Sequence, residues 1–312
     1  MQVVASEFRQ RGGRQLDPRK VTDDELIRVH DAEYVSLIKE TAGRAVSLDG
    51  DTFTSPDSCD VALLAAGAAV SAVDHVLDHG ARALAMVRPP GHHAERNRAM
   101  GFCLFNNIAI AAAHARGRGV ARVAIVDYDV HHGNGTQWSF YDDPSVLFIS
   151  SHQYPYYPGT GAADDIGSGA GTGFTVNLPM SAGATDADYE HVYSRVAWPV
   201  LRAFKPNLIL ISAGFDSYLD DPLGGMRVTA PYFGRLTSSI AAIADEHGGG
   251  RVVAITEGGY NLKGLADSLR SVVRVLAGDA TSEDLRPPAG DTPRGKATVD
   301  LVAPHLSQAW AI

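Results

Sequence analysis

The chain has 312 residues, of which 45% are hydrophobic and 20% are charged, a composition typical of a globular protein. Its formal net charge of -9 lacks the basic surplus that general nucleic-acid binding requires, so we expect no direct nucleic-acid partner. The sequence has no run of about eighteen apolar residues, so we expect no membrane span. It has no apolar N-terminal region either, so we expect no secretory signal. The two cysteines, Cys59 and Cys103, form no disulfide framework and fit a reducing cytoplasm, where we expect the protein to be located.

Short β-branched or apolar runs alternate with longer segments of helical period, which predicts an α/β fold with a parallel sheet covered by helices. The runs lack strict polar alternation, as expected for strands buried on both faces. Thr185, with Asp188 three residues later, predicts a helix N-terminal cap. The predicted strands are Ala83–Val87, Val123–Tyr128, Val146–Ser150, Leu208–Ser212 and Val252–Thr256, and the predicted helices are Cys103–His114, Asp186–Ala203, Pro231–His247 and Leu262–Leu276.

The C-terminal part of the chain differs in composition from the rest. Gly278–Ala297 is rich in Pro, Gly, Thr and charged residues, which predicts a surface tail. The sequence does not decide whether Val299–Ile312 packs against the domain or stays loose. We therefore predict a single domain over residues 1–277 and a C-terminal tail over residues 278–312. The sequence does not determine whether the protein forms a homo-oligomer.

Unusual polar residues follow four of the predicted strands, at the carboxyl edge where α/β sheets bind ligands. The first segment is Arg88–His93, in which two prolines and a glycine fix a turn that carries His92 and His93. Two imidazoles on a rigid turn can supply a general base and an electrostatic partner near neutral pH. For this segment alone, a surface histidine pair without a metal is an equal alternative.

In the second segment, the apolar strand from Val123 ends in Asp127-x-Asp129-x-His131. Residues two apart on an extended strand point the same way, so these three side chains share a face. Carboxylates at the edge of a core need a cation or hydrogen bonds, and this ligand set suits Zn²⁺ or a similar transition metal. A hydrogen-bonded capping cluster is the alternative.

The third and fourth segments each add one residue. Asp216 follows the strand Leu208–Ser212 and can supply a third ligand, since catalytic zinc typically has three protein ligands. Alone, such an Asp is more often a helix cap or a loop residue. Tyr260 follows paired glycines after Val252–Thr256 and can donate a hydrogen bond to a substrate carbonyl and to the oxyanion formed from it. Alone, such a Tyr usually serves packing.

Together with Gly101–Cys103, these segments resemble, in the same order, the zinc-dependent histone deacetylase superfamily, which includes acetylpolyamine amidohydrolases and acetoin-utilization proteins. The resemblance extends from His30 to Leu276. It is closest to bacterial class II-like deacetylases, because Asn134 stands where class I members carry an Asp. It implies an arginase-like α/β fold with a central parallel sheet of about eight strands flanked by helices.

The N-terminus departs from that family. Its members begin with a strand and a His-Pro-Glu-like loop, whereas this chain passes from Met1 almost directly to Val21–Leu26, a motif that comes later in the family. We therefore expect the first strand and one wall of the rim to be missing, through a real truncation or a start that lies upstream of Met1.

The resemblance implies a role for each matching residue. The implied reaction is hydrolysis of an acyl-lysine amide, with one histidine acting as base and then acid and a tyrosine polarising the carbonyl. The implied zinc ligands are Asp129, His131 and Asp216, and the implied catalytic residues are His93 as base and acid, His92 with its partner Asp127, Asn134 as the partner of His93, and Tyr260 at the carbonyl.

The resemblance also implies substrate-binding residues. Gly101 and Phe102 face Tyr157 across a narrow tunnel, and Tyr157 adds a polar group where the family usually has Phe. Asp51 stands at a rim position that contacts substrate backbone, although a loop-capping Asp is as good an interpretation. Leu223 occupies the gatekeeper position where polyamine-specific relatives can place an acid. An apolar residue there favours acyl-lysine over acetylpolyamine.

Two alternative functions stay open. The chain could deacetylate acetylpolyamines or other small acylated amines, or bind acyl ligands without catalysis because its N-terminus is clipped. A urea hydrolase of the arginase type would need a two-metal site, which Ser217 and Tyr218 do not complete. Besides Zn²⁺, relatives suggest a structural K⁺ or Na⁺ beside Asp127, Asp129, His131 and Ser150.

Overall fold

Six short apolar runs form one parallel sheet at the centre of the protein. The computed structural model describes the backbone of residues 2–312 and the side chains of residues 6–312. Most strands are buried along their whole length, as expected when helices cover both faces of a parallel sheet. In sheet order, the strands are β1 (Arg82–Ala85), β6 (Val252–Thr256), β5 (Leu208–Ala213), β2 (Val123–Asp127), β3 (Val146–Gln153) and β4 (Thr175–Met180).

The predicted α/β class and parallel sheet are confirmed, and all five predicted strands are present. The expected count of about eight strands is wrong, because the sheet has six within the described residues. The sequence did not predict β4, since Asn177 and Pro179 disfavour strand formation. Proline is tolerated there because β4 is an edge strand, which among the described strands pairs with β3 alone.

Two apolar cores lie on the two faces of the sheet. Val123 and Ile125 of β2 enter one core, and Ala124 and Val126 enter the other, because successive strand residues point to opposite faces. The helices that close these cores are α1 (Gln2–Gln10), α2 (Asp23–Leu26), α3 (Ala32–Lys39), α4 (Ser58–His79), α5 (Asn107–Gly117), α6 (Asn134–Ser139), α7 (Asp186–Val192), α8 (Trp198–Phe204), α9 (Ala230–His247), α10 (Leu262–Leu276) and α11 (Pro293–Leu306).

The predicted helices match with local differences. The helix predicted from Cys103 begins later, at α5, because the side chain of Asn106 accepts a hydrogen bond from the amide of Ala109 and caps it. The segment predicted as one helix from Asp186 is divided into α7 and α8 by a π-helical turn at Tyr193–Ala197. The cap predicted from Thr185 is confirmed as a capping box.

Helix α4 has the length and composition to cross a membrane. Half of its most apolar window is buried inside the protein, and the helix packs against α5 and β1. Since the core helix of a globular protein passes the same test, these properties are weak evidence for a span. Cys59, in the first turn of α4, and Cys103 are both buried and unpaired.

The C-terminal segment packs against the sheet. Helix α11 contacts α7 and β4, with Val302 and Leu306 fully buried, and Nε1 of Trp310 donates a hydrogen bond to the carbonyl of Gly173 at 2.6 Å. Residues 293–297, predicted as surface tail, instead begin α11 and bury Gly295. The division into a domain of residues 1–277 and a tail of residues 278–312 stays a prediction.

We expect Leu306→Ala to lower the free energy of unfolding by about 2–5 kcal/mol, because it leaves a cavity under α11. Urea denaturation followed by circular dichroism measures this change. Leu301→Ala is the matched control, since Leu301 is 52% exposed on the same helix, and its effect should stay within about 0.5 kcal/mol. Equal losses in both variants would contradict the burial of Leu306 under α11.

Candidate active site

Three side chains with metal-ligand atoms converge at the carboxyl ends of β2 and β5. Asp129 and His131 follow β2 and Asp216 follows β5, and these strands are parallel neighbours that end at the same edge of the sheet. Nδ1 of His131 lies 3.1 Å from Oδ1 of Asp129 and 3.2 Å from Oδ2 of Asp216. One ligand atom from each residue lies within 4.8 Å of the others. The structure therefore brings together the three predicted ligands.

The donors fit zinc. Among the described residues, buried Oδ2 of Asp216 has no polar contact besides Nδ1 of His131 at 3.2 Å, and a buried carboxylate oxygen is stabilised by a cation. Glycines make room beside both carboxylates: a Cβ on Gly258 would lie 2.1 Å from Oδ2 of Asp216, and a Cβ on Gly214 would lie 2.0 Å from Oδ2 of Asp129. Carboxylate oxygen and imidazole nitrogen are both zinc ligands, and catalytic zinc typically has three protein ligands.

Backbone amides hold the two carboxylates in place. The amide of Gly258 donates to Oδ2 of Asp129 at 2.9 Å, and the amide of Val130 donates to Oδ1 of Asp216 at 2.9 Å. Burial, and then the charge of Asp129, raise the pKa of Asp216 to about 6. In the absence of a metal, the second carboxylate of this pair therefore resists ionisation.

His92 is buried beside its predicted partner, with Nδ1 3.0 Å from Oδ2 of Asp127. Burial alone would lower the pKa of His92, but the charges of Asp127 and Asp129 outweigh it and raise the pKa to about 10. His92 therefore carries a positive charge at neutral pH. A fixed cation next to the metal ligands can act as the electrostatic partner that the sequence predicted.

His93 has the opposite properties. Its ring lies 4.0 Å from that of His92 and 5.9 Å from that of His131, and its Nδ1 donates to Oδ1 of Asn134 at 2.8 Å. In the metal-free protein, burial, and then the charges of His92 and His131, lower the pKa of His93 below its usual value. His93 is therefore neutral at physiological pH and able to accept a proton.

Tyr260 is held by a residue that the sequence analysis missed. Oδ2 of Asp221 accepts from the amide of Tyr260 at 2.7 Å, and Oδ1 accepts from the amide of Leu223 at 2.9 Å. Asp221 thus connects the loop after β5 to the loop after β6. Burial raises the pKa of Tyr260, so its hydroxyl keeps its proton. The sequence around Asp221 offers no signal, because its partners are backbone amides of distant residues.

Glu257 was also missed as a site residue, although it lies in the segment that carries Tyr260. Its buried Oε2 accepts from the amides of Gly91 and His92 at 2.6 and 3.2 Å, and Oε1 accepts from Oγ of Ser212 at 3.2 Å. Burial raises the pKa of Glu257 to about 7. The carboxylate fixes the histidine turn to the sheet. Its sequence signal is an acid placed between a buried strand and two glycines.

Aromatic side chains line the approach to the triad. The ring of Tyr157 meets that of His93 edge-on at 5.2 Å and that of His131 at 5.9 Å, so this predicted wall residue lies at the site. Tyr156, which was not predicted, stacks on His131 at 5.6 Å and donates to the carbonyl of Leu223 at 3.4 Å. Leu223 is 38% exposed beside this wall.

Gly101 and Phe102 form a strained turn against the base. Both have positive φ, 56° and 66°, and a Cβ on Gly101 would lie 2.3 Å from the ring of His93. Oδ1 of Asp51 accepts from the amide of Gly101 at 3.2 Å, and Oγ1 of Thr52 accepts from the amide of Phe102 at 3.1 Å. Asp51 thus has the loop-capping contact considered as its alternative role, and its substrate contact stays a prediction.

The predicted K⁺ or Na⁺ site stays a prediction. Ser150 pairs in register with Asp127 across the β2–β3 ladder, which places it beside the predicted cation ligands. Its Oγ lies within hydrogen-bond distance of Nδ1 of His152, at 3.0 Å.

The comparisons with known proteins identify the family. Residues 2–276 match the family model described as a histone deacetylase domain. The chain belongs to the histone deacetylase family. It is 45% identical over 291 residues to the polyamine deacetylase HDAC10 of Homo sapiens, covering 87% of this chain and 43% of that protein. It is 42% identical over 284 residues to histone deacetylase 15 of Arabidopsis thaliana, covering 89% and 50%.

Two further matches extend this likeness within the family. A probable deacetylase of Archaeoglobus fulgidus is 41% identical over 265 residues, covering 84% of this chain and 74% of that protein. The crystal structure of the HDA15 HD domain superimposes with a TM-score of 0.91 at 38% identity, covering 99% of this chain and 86% of that chain. The chain spans about half the length of the human and Arabidopsis relatives.

These matches confirm the resemblance drawn from the sequence. Histone deacetylase family relatives are hydrolases that act on amide bonds, and the family is in general zinc-dependent. The triad of Asp129, His131 and Asp216 supplies ligands for such a metal.

Proposed function

We propose that this protein is a zinc-dependent amidohydrolase that removes acetyl or other acyl groups from lysine side chains of proteins or peptides. The observation that carries the proposal is the position of a neutral, buried His93 next to the metal triad, with its ring 5.9 Å from that of His131. A base and an electrophilic metal side by side are what hydrolysis of an unactivated amide requires.

When bound at the triad, zinc would polarise the substrate carbonyl and make the attacking water more acidic. His93 takes the proton of that water on Nε2, because its Nδ1 is committed to Asn134. It then delivers this proton to the leaving amine nitrogen. His92 pairs with Asp127 and acts as the electrostatic partner of this base, and the hydroxyl of Tyr260, which keeps its proton, donates a hydrogen bond to the carbonyl oxygen as negative charge develops there.

The side chain at position 223 supports acyl-lysine as the substrate class. Leu223 is exposed beside the aromatic wall and offers no charge to attract the additional ammonium groups of a polyamine. A deacetylase of acetylpolyamines is the second candidate, because the human relative with 45% identity is named a polyamine deacetylase.

We expect Leu223→Glu to raise kcat/KM for acetylspermidine relative to an acetyl-lysine peptide by about tenfold, because the new carboxylate attracts the free ammonium groups. Leu223→Gln is the matched control, since it has the same shape without the charge. For each variant and the wild type, the ratio of kcat/KM for acetylspermidine to kcat/KM for the peptide is measured with purified, zinc-loaded protein. A wild-type protein that prefers acetylspermidine would replace the acyl-lysine proposal with the polyamine one, and a protein without turnover of either substrate would favour the inactive acyl-binding alternative.

A further inference from the structure

Asn134, the partner of the base, contacts a carboxylate that the reaction above does not use. Its Nδ2 donates to Oε1 of Glu95 at 2.7 Å. The same amide nitrogen lies 3.4 Å from the carbonyl oxygen of His93 and 3.3 Å from Sδ of Met100. All three groups accept hydrogen bonds, and a carboxylate cannot donate one. The side-chain amide of Asn134 therefore has one orientation, with its nitrogen towards Glu95.

This orientation decides which nitrogen of His93 carries the proton. The amide oxygen of Asn134 faces Nδ1 of His93 at 2.8 Å. Because that oxygen can only accept, Nδ1 must be the protonated nitrogen, and Nε2 keeps a lone pair. An amide rotated by half a turn would present its NH₂ group to Nδ1 and favour the Nε2–H tautomer. That tautomer cannot accept a proton on Nε2.

Glu95 is itself held in place. Nη2 of Arg98 donates to its Oε1 at 3.0 Å, and the backbones of these two residues form a bridge in which the amide of Glu95 donates to the carbonyl of Arg98 at 2.9 Å. The backbone carbonyl of Glu95 accepts from Nδ1 of His30 at 2.9 Å. The side chain is 22% exposed, so it lies at the outer end of a chain of contacts that leads inward to His93.

We propose that Glu95 is a positioning residue that sets the tautomer of His93 by orienting the amide of Asn134. The proposal rests on the proposed function, in which Nε2 of His93 is the base. An aspartate at position 134 would have two accepting oxygens and would need no such orientation. It would also be repelled by Glu95 at this distance. Glu95 therefore assists catalysis only while position 134 is an amide.

The test compares Glu95→Ala in two backgrounds, the natural Asn134 and the variant Asn134→Asp. With Asn134, we expect Glu95→Ala to lower kcat on an acetyl-lysine peptide by about tenfold with little change in KM, because the wrong tautomer becomes populated. With Asn134→Asp, the same substitution should raise kcat, because it removes a repelling charge. An equal loss in both backgrounds would show a merely structural role and overturn the proposal.

Two further variants separate orientation from loop stability. Glu95→Gln should keep most of the activity, since its amide oxygen can accept from Asn134 and from Arg98. Arg96→Ala is the matched control: Arg96 is 72% exposed in the same turn and pairs at the surface with Asp31, so its loss should leave kcat unchanged. A loss in Glu95→Gln as large as that in Glu95→Ala would contradict the orienting role.

A second measurement is independent of turnover. In zinc-loaded protein labelled with ¹⁵N-histidine, NMR should show His93 protonated on Nδ1, with the assignment made by comparison with His93→Ala. In Glu95→Ala we expect the Nε2–H form to become populated. An unchanged tautomer would overturn the proposal even if activity fell. Failure of the wild type to hydrolyse any acylated amine would count against the proposed function alone, while this comparison would still decide the role of Glu95.

Discussion

We expect His93→Ala to lower kcat on an acetyl-lysine peptide by about 10²–10⁴-fold, while zinc stays bound. The substitution removes a neutral imidazole beside the metal triad, whose pKa is lowered chiefly by burial. It leaves Asp129, His131 and Asp216 untouched, so the metal content should remain one zinc per chain. Steady-state kinetics and elemental analysis of the same sample measure the two quantities together.

The control for this experiment is another histidine far from the site. His305 is exposed on α11, so His305→Ala should change neither kcat nor the zinc content. A fall in kcat of less than about threefold in His93→Ala would remove His93 from the role of base. Loss of zinc in that variant would instead show that His93 supports the metal site.

The metal triad could be predicted from the sequence because its members follow apolar strands directly. Asp129 and His131 share one strand end, and Asp216 lies at the end of a strand of the same kind. In a parallel sheet, residues directly after neighbouring strands are brought to one edge by the fold itself. The spacing could not show that β2 and β5 are neighbours, and the family resemblance supplied that step.

The residues that support this site could not be predicted, because their partners are far away in the sequence. Glu257 binds amides of the turn at Gly91 and His92, and Glu95 binds a side chain on α6. Neither contact leaves a periodic pattern. Asp221 likewise binds backbone amides, which any sequence offers. The supporting roles of Glu257, Glu95 and Asp221 can be recognised only from their contacts in the folded protein.

The same limit applies to the fold. The strongly apolar strands and the amphipathic helix α10 were predicted, with α10 matching at both ends. Strand β4 and helix α11 were not, since each contains residues that usually interrupt regular structure, Pro179 and Pro304. Tertiary packing overrides local preference at both positions: β4 is an edge strand, and α11 buries Leu306 against the sheet.

Asp216→Ala is expected to abolish high-affinity zinc binding and to lower turnover by at least about 10³-fold, because it removes one of three ligands. Isothermal titration with zinc and a turnover assay measure both effects. Asp220→Ala is the matched control, since Asp220 is an exposed acid in the same loop and should leave both properties unchanged. Wild-type turnover that survives a strong chelator would contradict a role for the metal.

Asp216→Ala also separates the destabilisation caused by the metal-free triad from the stabilisation caused by zinc binding. In metal-free protein, burial and the charge of Asp129 raise the pKa of Asp216 to about 6, above the value of an unfolded aspartate near 3.8. The folded state therefore holds a proton that the unfolded state has lost, and stability falls as pH rises from about 4 to about 6. Metal-free Asp216→Ala should show a smaller fall than the metal-free wild type, since Glu257, whose pKa burial raises to about 7, contributes a fall of its own in both proteins.

Zinc should offset this loss of stability in the wild type and not in Asp216→Ala. Because the ion competes with the proton on Asp216, its apparent affinity should weaken as pH falls below about 6. At neutral pH, zinc at a hundred times its Kd should add about 2.7 kcal/mol to the free energy of unfolding of the wild type and nothing to that of Asp216→Ala. Thermal denaturation of both proteins at pH 5 and pH 7.5, with and without zinc, measures these differences. If zinc stabilised both proteins equally, the ion would be bound elsewhere, and the hydrolytic role of the triad would fall with it.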